Sequence, residues 1–546
     1  MPAVVAAKRG RTPFSRAGHT KRGTTPFLGV MSAVAAAIAL TLACSAPKTR
    51  IPPPTVDWST RLAEADALVE AGCFDCLRDA LQKYQALRAM TAAPPPALIR
   101  ATSGAFRAAA LLALRQRELG MIDDGYLETA KELRTSESCM GSASSCESLD
   151  RLLDLIGILP FDPAGRPPSS DAQMADAQRL NRNRQEWTSA LRDAAGTDLL
   201  SAYAWLALAC RPIGAGTRAD ARVALDALRD VPLLVFKQST CSSREPDTLQ
   251  TLLDGDSRFI EISYLLGLSA VGRLKFDEAD TFLERAYAWH PRWPAVTLTL
   301  GNAAMTGEDF ERALTFYDKT LDLEAHAVQA LLGKARALTY LGRYEQSIAV
   351  VDQLLAERWY LGDARYWRAM NEFQLGRFDE AWIDIEESAK LLVNAQVPKL
   401  AGLISYRRQQ PDVARAKFQE SRERDPDDCE TGFFLGVVLA DQRAWSQAAE
   451  VFLPTVTCLE TGMGALTRQI ERIRASSDSP ERQARQIARR ERQLADARRM
   501  LAQSTFNTAV SYYNLSRYAD ARPFAEKVVD DEQFGERARE IMSMLK

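Results

Sequence analysis

The sequence predicts an all-helical protein, an α-solenoid in which short helical hairpins stack side by side. The first observation is a series of aromatic residues spaced 34 positions apart: Phe276, Phe310, Tyr344 and Phe378. The second is a series of small residues three positions after each aromatic: Ala279, Ala313, Ser347 and Ala381. Two series that stay in step over four units indicate a repeat architecture.

The pattern inside one unit explains this spacing. Between Leu266 and Pro291, apolar and small residues recur every three or four positions, which is one face of a helix. A break near Leu274 separates two such helices, and Pro291 ends the second. The small residues let the two antiparallel helices cross closely, and the aromatic fills the wedge between neighbouring hairpins. One hairpin cannot bury this face alone, so the units must stack.

These units resemble the tetratricopeptide repeat family. The resemblance rests on a Leu-Gly dipeptide in the first helix, a turn with a glycine two residues before an aromatic, and a proline at the end of the repeat. These motifs are Leu266-Gly267, Leu300-Gly301, Leu435-Gly436, Gly342-Arg343-Tyr344, Gly376-Arg377-Phe378, Pro291 and Pro426. Ala325 and Trp359 depart from the expected proline, and Ser347 from alanine. The resemblance implies a right-handed superhelix over 260–395 that continues beyond it; the alternative is an unrelated helical bundle.

The first 43 residues are predicted to lie outside the fold. A basic segment precedes an apolar run from Phe27 to Ala43, which ends at Cys44. This segment is similar to a bacterial lipoprotein signal peptide, which implies cleavage before Cys44 and lipidation of that cysteine. The alternative is an uncleaved membrane anchor. Ser45 after the lipidated cysteine implies, by analogy, a lipid-anchored protein at the outer membrane, facing the periplasm.

Composition divides the rest of the chain into five predicted segments. They are a proline-rich tether at 44–57, a degenerate repeat-like region at 58–256, a regular array at 257–461, an arginine-rich helical insertion at 462–503, and a last repeat with a capping helix at 504–546. The chain carries a formal net charge of −2, and removal of the basic leader makes it more acidic. A mildly acidic chain is not expected to bind nucleic acid.

The insertion permits two interpretations. It contains ten arginines and no lysine, so it could contact an anionic partner. It could instead be a solvated helix whose arginines and acids pair along its surface. Gly462 and Gly464 predict a break before a short helix from Ala465 to Arg474. A second helix is predicted from Ser479-Pro480 to Asn514, because serine is a good N-cap and proline suits the first helical position.

Eight cysteines remain besides Cys44, and an even count in an exported chain suggests disulfides. They are Cys73, Cys76, Cys139, Cys146, Cys210, Cys241, Cys429 and Cys458. Cys429 begins the first helix of a repeat and Cys458 ends its second, so antiparallel packing brings them together. The other candidate pairs are Cys139–Cys146 and Cys210–Cys241. Cys73 and Cys76 form either a local disulfide or a redox or metal pair.

The sequence points away from catalysis. It has three histidines and contains no HExxH, P-loop, glycine-rich phosphate fingerprint or GxSxG motif. We therefore expect no enzyme, no metal and no cofactor. A glycosidase-type pair of carboxylates has no local spacing rule, so that possibility stays open.

The family resemblance implies a concave groove, lined by the first helices, that holds a peptide or helix of a protein partner. The inward positions of the four clear units are Tyr264, Leu268, Asn302, Met305, Arg336, Tyr340, Tyr366, Met370 and Phe373. Aromatic, Met and Arg side chains anchor interfaces, although ordinary core packing also uses them. The lysines of the family's carboxylate clamp are absent, so we expect an apolar or mixed ligand.

The function predicted from the sequence is a non-catalytic, membrane-anchored scaffold for protein–protein interaction in the cell envelope. Two alternatives remain. One is an envelope enzyme or glycan-binding protein that uses the N-terminal half, and the other is a structural subunit of a larger envelope complex.

Overall fold

A computed structural model describes residues 57–90, 93–122, 124–134, 153, 246–357 and 361–544. Within these ranges all regular secondary structure is helical, and it comprises twenty helices. The leader at 1–43, Cys44, Cys139, Cys146, Cys210 and Cys241 lie outside the described residues.

Four helices form the described N-terminal part. They are α1 (Trp58–Ala71), α2 (Phe74–Arg88), α3 (Pro95–Leu119) and α4 (Tyr126–Leu133). Between α1 and α2, Gly72 adopts a φ of +74° two positions before Phe74. This turn has the same Gly-x-aromatic form as Gly342-Arg343-Tyr344, and a glycine enters the left-handed region without steric cost.

The regular array consists of paired helices. Its first helices are α6 (Ile262–Gly272), α8 (Pro294–Thr306), α10 (Val328–Tyr340), α12 (Gly362–Gln374), α14 (Gln396–Arg407) and α16 (Cys429–Asp441), preceded by α5 (Pro246–Gly255). Its second helices are α7 (Phe276–Trp289), α9 (Phe310–Leu323), α11 (Tyr344–Glu357), α13 (Phe378–Ala389), α15 (Pro411–Arg424) and α17 (Trp445–Arg474). Each aromatic of the 34-residue series is the first residue of a second helix. The predicted stack of helical hairpins is therefore confirmed.

The small residues of the series lie where the helices cross, and all four are fully buried. Ser347, which replaces the expected alanine, is accommodated by hydrogen bonds. Its hydroxyl donates to the Ala335 carbonyl at 2.8 Å and accepts from the Asn371 side-chain amide at 2.8 Å. A buried hydroxyl is tolerated there because its hydrogen-bonding capacity is used.

The turn within each hairpin holds one residue with positive φ, two positions before the second helix. Gly342 and Gly376 fill it in two repeats, at +72° and +77°. The equivalent residues elsewhere are Leu274, Glu308, Gln409, Arg443 and Ser516. The repeat geometry imposes this backbone conformation even on residues that disfavour it. The turns form a row along one edge of the array, which we call the turn row.

The C-terminal part begins within α17 and continues with α18 (Pro480–Asn514), α19 (Tyr518–Lys527) and α20 (Gly535–Met544). The predicted break at Gly462 and Gly464 was wrong, because α17 runs through both glycines. A helical glycine costs only about 1 kcal/mol, and the packing of α17 along α18 outweighs it. The second predicted helix agrees with α18, and α20 lies in the segment predicted to hold the capping helix.

The N-terminal helices pack directly against the first repeat of the array. The Trp293 indole N–H donates to the Leu119 carbonyl at 2.7 Å, and the Trp289 indole N–H donates to Asp75 at 3.1 Å. Glu261, just before α6, accepts from the Phe74 amide and from Arg115, both at 3.1 Å. One continuous hydrophobic core therefore runs from α1 into the array.

Helix α3 has the composition of a membrane span but the surroundings of a core helix. Among the described helices it is long and apolar enough to cross a bilayer, over Pro95–Arg117. However, 67% of its apolar stretch is buried inside the protein, against α2 and α4. Buried core helices can have the same length and apolar composition as a membrane span, so packing inside the protein explains the apolar character of α3.

Two disulfides occur among the described cysteines. Cys429 at the start of α16 is joined to Cys458 in α17, with 5.6 Å between their Cα atoms. Cys73 is joined to Cys76 across the start of α2, with 4.9 Å between their Cα atoms. The Cys73 sulfur also accepts a hydrogen bond from the Cys76 amide, so this pair caps the helix.

Candidate functional site

The predicted groove residues all lie on first helices, but their exposure differs. Tyr264 is a core residue, because it is only 2% exposed and its ring lies 4.9 Å from that of Trp293. Leu268 packs against the same core. Tyr264 therefore does not line a groove, whereas Leu268 is half-buried. The prediction placed Tyr264 there because the repeat register cannot tell that the N-terminal helices cover this end of the array.

The positions on α8 are intermediate in character. Asn302 is exposed, and its side-chain oxygen accepts a hydrogen bond from the Tyr317 hydroxyl at 2.9 Å. Met305 is half-buried and packs against the core around Ala304 and Ala313. Both side chains therefore support the hairpin, and Asn302 also faces solvent.

The clearest candidate site is an aromatic cluster on α10 and α12. Tyr340 is 44% exposed and lies 6.0 Å from Trp367, which in turn lies 5.5 Å from Tyr366. The Arg336 guanidinium sits 5.4 Å from the centre of the Trp367 ring. An exposed aromatic edge flanked by a guanidinium is typical of interface anchors.

The cluster continues along α12 towards α14. Met370 and Phe373 are half-buried and pack on the core of this repeat. The Phe373 ring lies 5.7 Å from Phe378, and the Arg407 guanidinium lies 5.9 Å from the centre of the Phe373 ring. Five of the nine predicted residues thus belong to one surface on α10 and α12: Arg336, Tyr340, Tyr366, Met370 and Phe373. We call this surface, together with Trp367, the aromatic groove.

Trp367 is a member of this groove that sequence reasoning missed. The 34-residue register aligns it with Gly333 and Thr299, so the period gives no reason to expect an aromatic there. The size of its side chain could have indicated an exposed position. The aligned residues in other repeats are small, so the packed interior has no room for a tryptophan there.

Burial perturbs two groups near the groove. It raises the pKa of the Tyr366 hydroxyl to about 12. It also raises the pKa of Glu372 to about 7, with a further contribution from the nearby Asp384 carboxylate. Arg365 and Arg368 form their ion pairs with Asp384 rather than with Glu372.

The arginine-rich insertion reaches one end of the groove. Arg489 of α18 lies 5.0 Å from the centre of the Tyr340 ring and 5.6 Å from that of Phe310. Tyr340 and Phe310 are themselves stacked at 4.9 Å. No sequence pattern indicates that these two distant segments meet.

Metal-ligating side chains form no cluster in the part of the chain that the structure describes. Among those residues, no three His, Cys, Asp or Glu side chains are grouped so that they could hold a metal ion. His290 is a half-buried residue whose pKa is lowered by burial. It stacks near Trp289, at 5.7 Å, and so belongs to the packing of the first repeat.

Comparison with known proteins identifies the repeat type. The sequence model of the tetratricopeptide repeat family matches residues 298–361, 332–391 and 400–454. No curated protein sequence matches the chain significantly.

Several solved structures are similar to parts of the chain. MamA (41-end) from Desulfovibrio magneticus RS-1 is 20% identical over 31% of this chain and 96% of its own, with a TM-score of 0.29. YrrB, described as a TPR protein with an unusual peptide-binding site, is 16% identical over 41% and 97%, with a TM-score of 0.30. TTC0263, a thermophilic TPR protein in Thermus thermophilus, is 17% identical over 33% and 99%, with a TM-score of 0.29.

Proposed function

We propose that this chain, which carries tetratricopeptide repeats over residues 298–391 and 400–454, is a non-catalytic scaffold that holds a protein partner on its aromatic groove. The observation that carries the proposal is the cluster of Tyr340, Tyr366, Trp367 and Phe373 on two neighbouring first helices, with Arg336 beside it. A buried core would hide these rings completely, whereas here they are half-buried or exposed.

The chemistry of the groove defines the partner. Aromatic and Met side chains bury apolar surface, and Arg336 and Arg407 add positive charge at its edges. A peptide or helix with apolar anchors, and with polar or acidic groups beside them, fits this combination.

The test is capture of partners from native membranes by crosslinking, with the captured chains identified. Replacing Tyr340, Tyr366 and Phe373 together by alanine is expected to weaken capture by at least about a hundredfold, because the loss of one hot-spot aromatic worth about 2 kcal/mol already weakens binding about thirtyfold. A matched control replaces three exposed apolar residues on second helices, Ile383, Val413 and Leu453, by alanine.

The control variant is expected to capture partners like the unmodified protein. Thermal unfolding of both variants separates loss of binding from loss of fold. Unchanged capture by a folded groove variant, or an equal loss in both variants, would contradict the proposal.

The proposal also includes a location for the scaffold in the cell envelope, anchored by lipid on Cys44 at the outer membrane and facing the periplasm. It is supported by the basic segment, the apolar run and the Leu42-Ala43-Cys44 ending of the leader. Two acyl chains or more are needed for stable anchoring, since one chain gives only marginal binding.

Replacement of Cys44 by serine tests the anchor. The unmodified protein is expected to incorporate labelled palmitate and to sediment with outer membranes, because the acyl chains insert into the bilayer. The Cys44→Ser variant is expected to lose the label completely. Replacement of Cys429 by serine is the control, since that cysteine should not affect labelling. A labelled Cys44→Ser protein, or an unlabelled parent, would rule out lipidation at Cys44.

A further inference from the structure

The N-terminal half of α18 lies against the turn row of the first three repeats of the array. Four of its arginines make this contact, and they fall on one side of the helix: Arg482, Arg485, Arg489 and Arg490. Their partners are about two hundred positions earlier in the chain. The insertion therefore folds back from the end of the array onto its beginning.

Arg482 is the most deeply placed of the four, and only 3% of the residue is exposed. Its guanidinium pairs with Asp277 at 2.9 Å and with Asp280 at 2.6 Å. It also lies over the Phe276 ring at 5.5 Å. The Ser479 amide donates a hydrogen bond to Asp277, so both the start of α18 and its first inward arginine are held by one carboxylate.

The next arginines follow the turn row to the second and third repeats. Arg485 pairs with Asp309 at 3.0 Å, and Arg490 pairs with Glu308 at 2.9 Å. Arg489 pairs with Glu308 at 3.3 Å and lies over the Tyr340 ring. Each step along α18 thus meets an acid or an aromatic ring of the next repeat.

The two faces of α18 have different chemistry. Its apolar residues Leu494 and Ala497 are buried within the hairpin that it makes with α17, as is Ile470 of α17. The face towards the turn row consists of the four arginines. The hairpin is therefore held together by apolar burial, whereas its contact with the array is held by charge. Salt weakens charge pairs near a surface but leaves apolar packing intact.

We propose that the turn row of the first two repeats is a docking strip for a helix that presents arginines, and that α18 is its resident, displaceable occupant. The strip consists of Phe276, Asp277, Asp280, Glu308, Asp309 and Phe310. It fits a helix with arginines at positions i, i+3 and i+7, the spacing of Arg482, Arg485 and Arg489. Because Arg489 lies over the Tyr340 ring, docking of α18 also narrows one end of the aromatic groove; this last consequence depends on the proposed function.

The first experiment measures docking in the full chain by hydrogen–deuterium exchange of the turn at 306–311 and of α18. The inward variant replaces Arg482, Arg485, Arg489 and Arg490 by glutamine. The matched outward variant replaces the exposed Arg468, Arg472, Arg492 and Arg498, with the same loss of charge. Exchange is expected to rise about tenfold or more in the inward variant and to stay within about twofold in the outward variant.

The unmodified protein in about 1 M NaCl provides a second measurement that needs no substitution, since the Debye length falls to about 3 Å there. It is expected to raise exchange in the same direction but by less than the inward variant, because salt screens buried pairs such as those of Arg482 only weakly, while exchange in α19 and α20 stays unchanged. Equal exchange in the inward and outward variants would overturn the proposal.

The second experiment tests the strip itself with a designed alanine-based helical peptide that carries arginines at i, i+3 and i+7. It is expected to bind the inward variant about tenfold or more tightly than the unmodified protein, because the strip is vacant. Adding Asp277→Asn, Asp280→Asn, Glu308→Gln and Asp309→Asn is expected to abolish this gain. Binding that ignores these acids would overturn the proposal. Neither readout uses the aromatic groove, so failure here leaves the scaffold proposal standing.

Discussion

Replacing Glu261 by alanine is expected to lower the free energy of unfolding by about 3–5 kcal/mol, the cost of breaking a buried ion pair. Glu261 and Arg115 are both only 1% exposed, and one carboxylate oxygen accepts from Arg115 and from the Phe74 amide. Removal of the carboxylate leaves a buried guanidinium without this counter-charge and a buried amide without an acceptor. Neither group is accessible enough for water to compensate.

Chemical denaturation followed by circular dichroism measures this effect, and Glu311→Ala is the matched control. Glu311 pairs with Arg343 at the surface, where both side chains are more than 40% exposed. Its replacement is expected to change the free energy of unfolding by less than about 1 kcal/mol. Limited proteolysis should also show earlier cleavage between α4 and α6 in the Glu261 variant. Similar losses in both variants would mean that the Arg115 pair adds nothing beyond a surface contact.

This ion pair also shows where prediction from the sequence ends. The array was predictable because each repeat must bury the same kinds of side chain at the same spacing. Phe276 and Phe310, 34 residues apart, therefore reveal the repeat. Arg115 and Glu261 are 146 positions apart and belong to no periodic series. The sequence therefore contains no pattern that indicates the packing of the N-terminal helices against the first repeat. For this reason Tyr264, which is buried by that packing, was predicted to lie on the groove surface.

The turns and glycines illustrate a second limit. Gly342 and Gly376 indicated the positive-φ position, and the register extends it to Leu274 and Glu308. Such a turn therefore does not require a glycine. Conversely, Gly462 suggested a break and lies inside a helix. Glycine in a helix costs only about 1 kcal/mol relative to alanine, and the packing of two long helices contributes more than that to stability.

The insertion shows the third limit. Its arginine content was evident, and both interpretations looked for partners near it in sequence or outside the protein. The structure places four of the arginines against acids of the first repeats instead. Whether Arg482 meets Asp277 depends on how the array curves over about two hundred residues, and the sum of many small angles between repeats decides this. The placement of the predicted residues on first helices followed from the repeat register, but the contact of Arg489 with Tyr340 did not.

The second large effect is expected for Gly333→Ala, a loss of about 1–3 kcal/mol from overpacking. A Cβ atom on Gly333 would lie 2.3 Å from the Tyr317 ring, and one on Gly301 would lie 2.8 Å from the same ring. The ring is only 1% exposed, and its hydroxyl donates to Asn302 at 2.9 Å. Tyr317 is therefore held between two repeats and cannot move without giving up either that hydrogen bond or its packing.

The same substitution at Gly462 is the control, because the two changes share their effect on the unfolded chain. A Cβ atom added to Gly462, inside α17, would have no neighbouring atom within 4 Å, so alanine there is expected to stabilise the protein by about 0.5–1 kcal/mol. Thermal and urea unfolding of the two variants should therefore shift in opposite directions. A shift of the same sign in both would mean that helix propensity decides the outcome at Gly333, and that neighbouring hairpins approach less closely than the contact with Tyr317 requires.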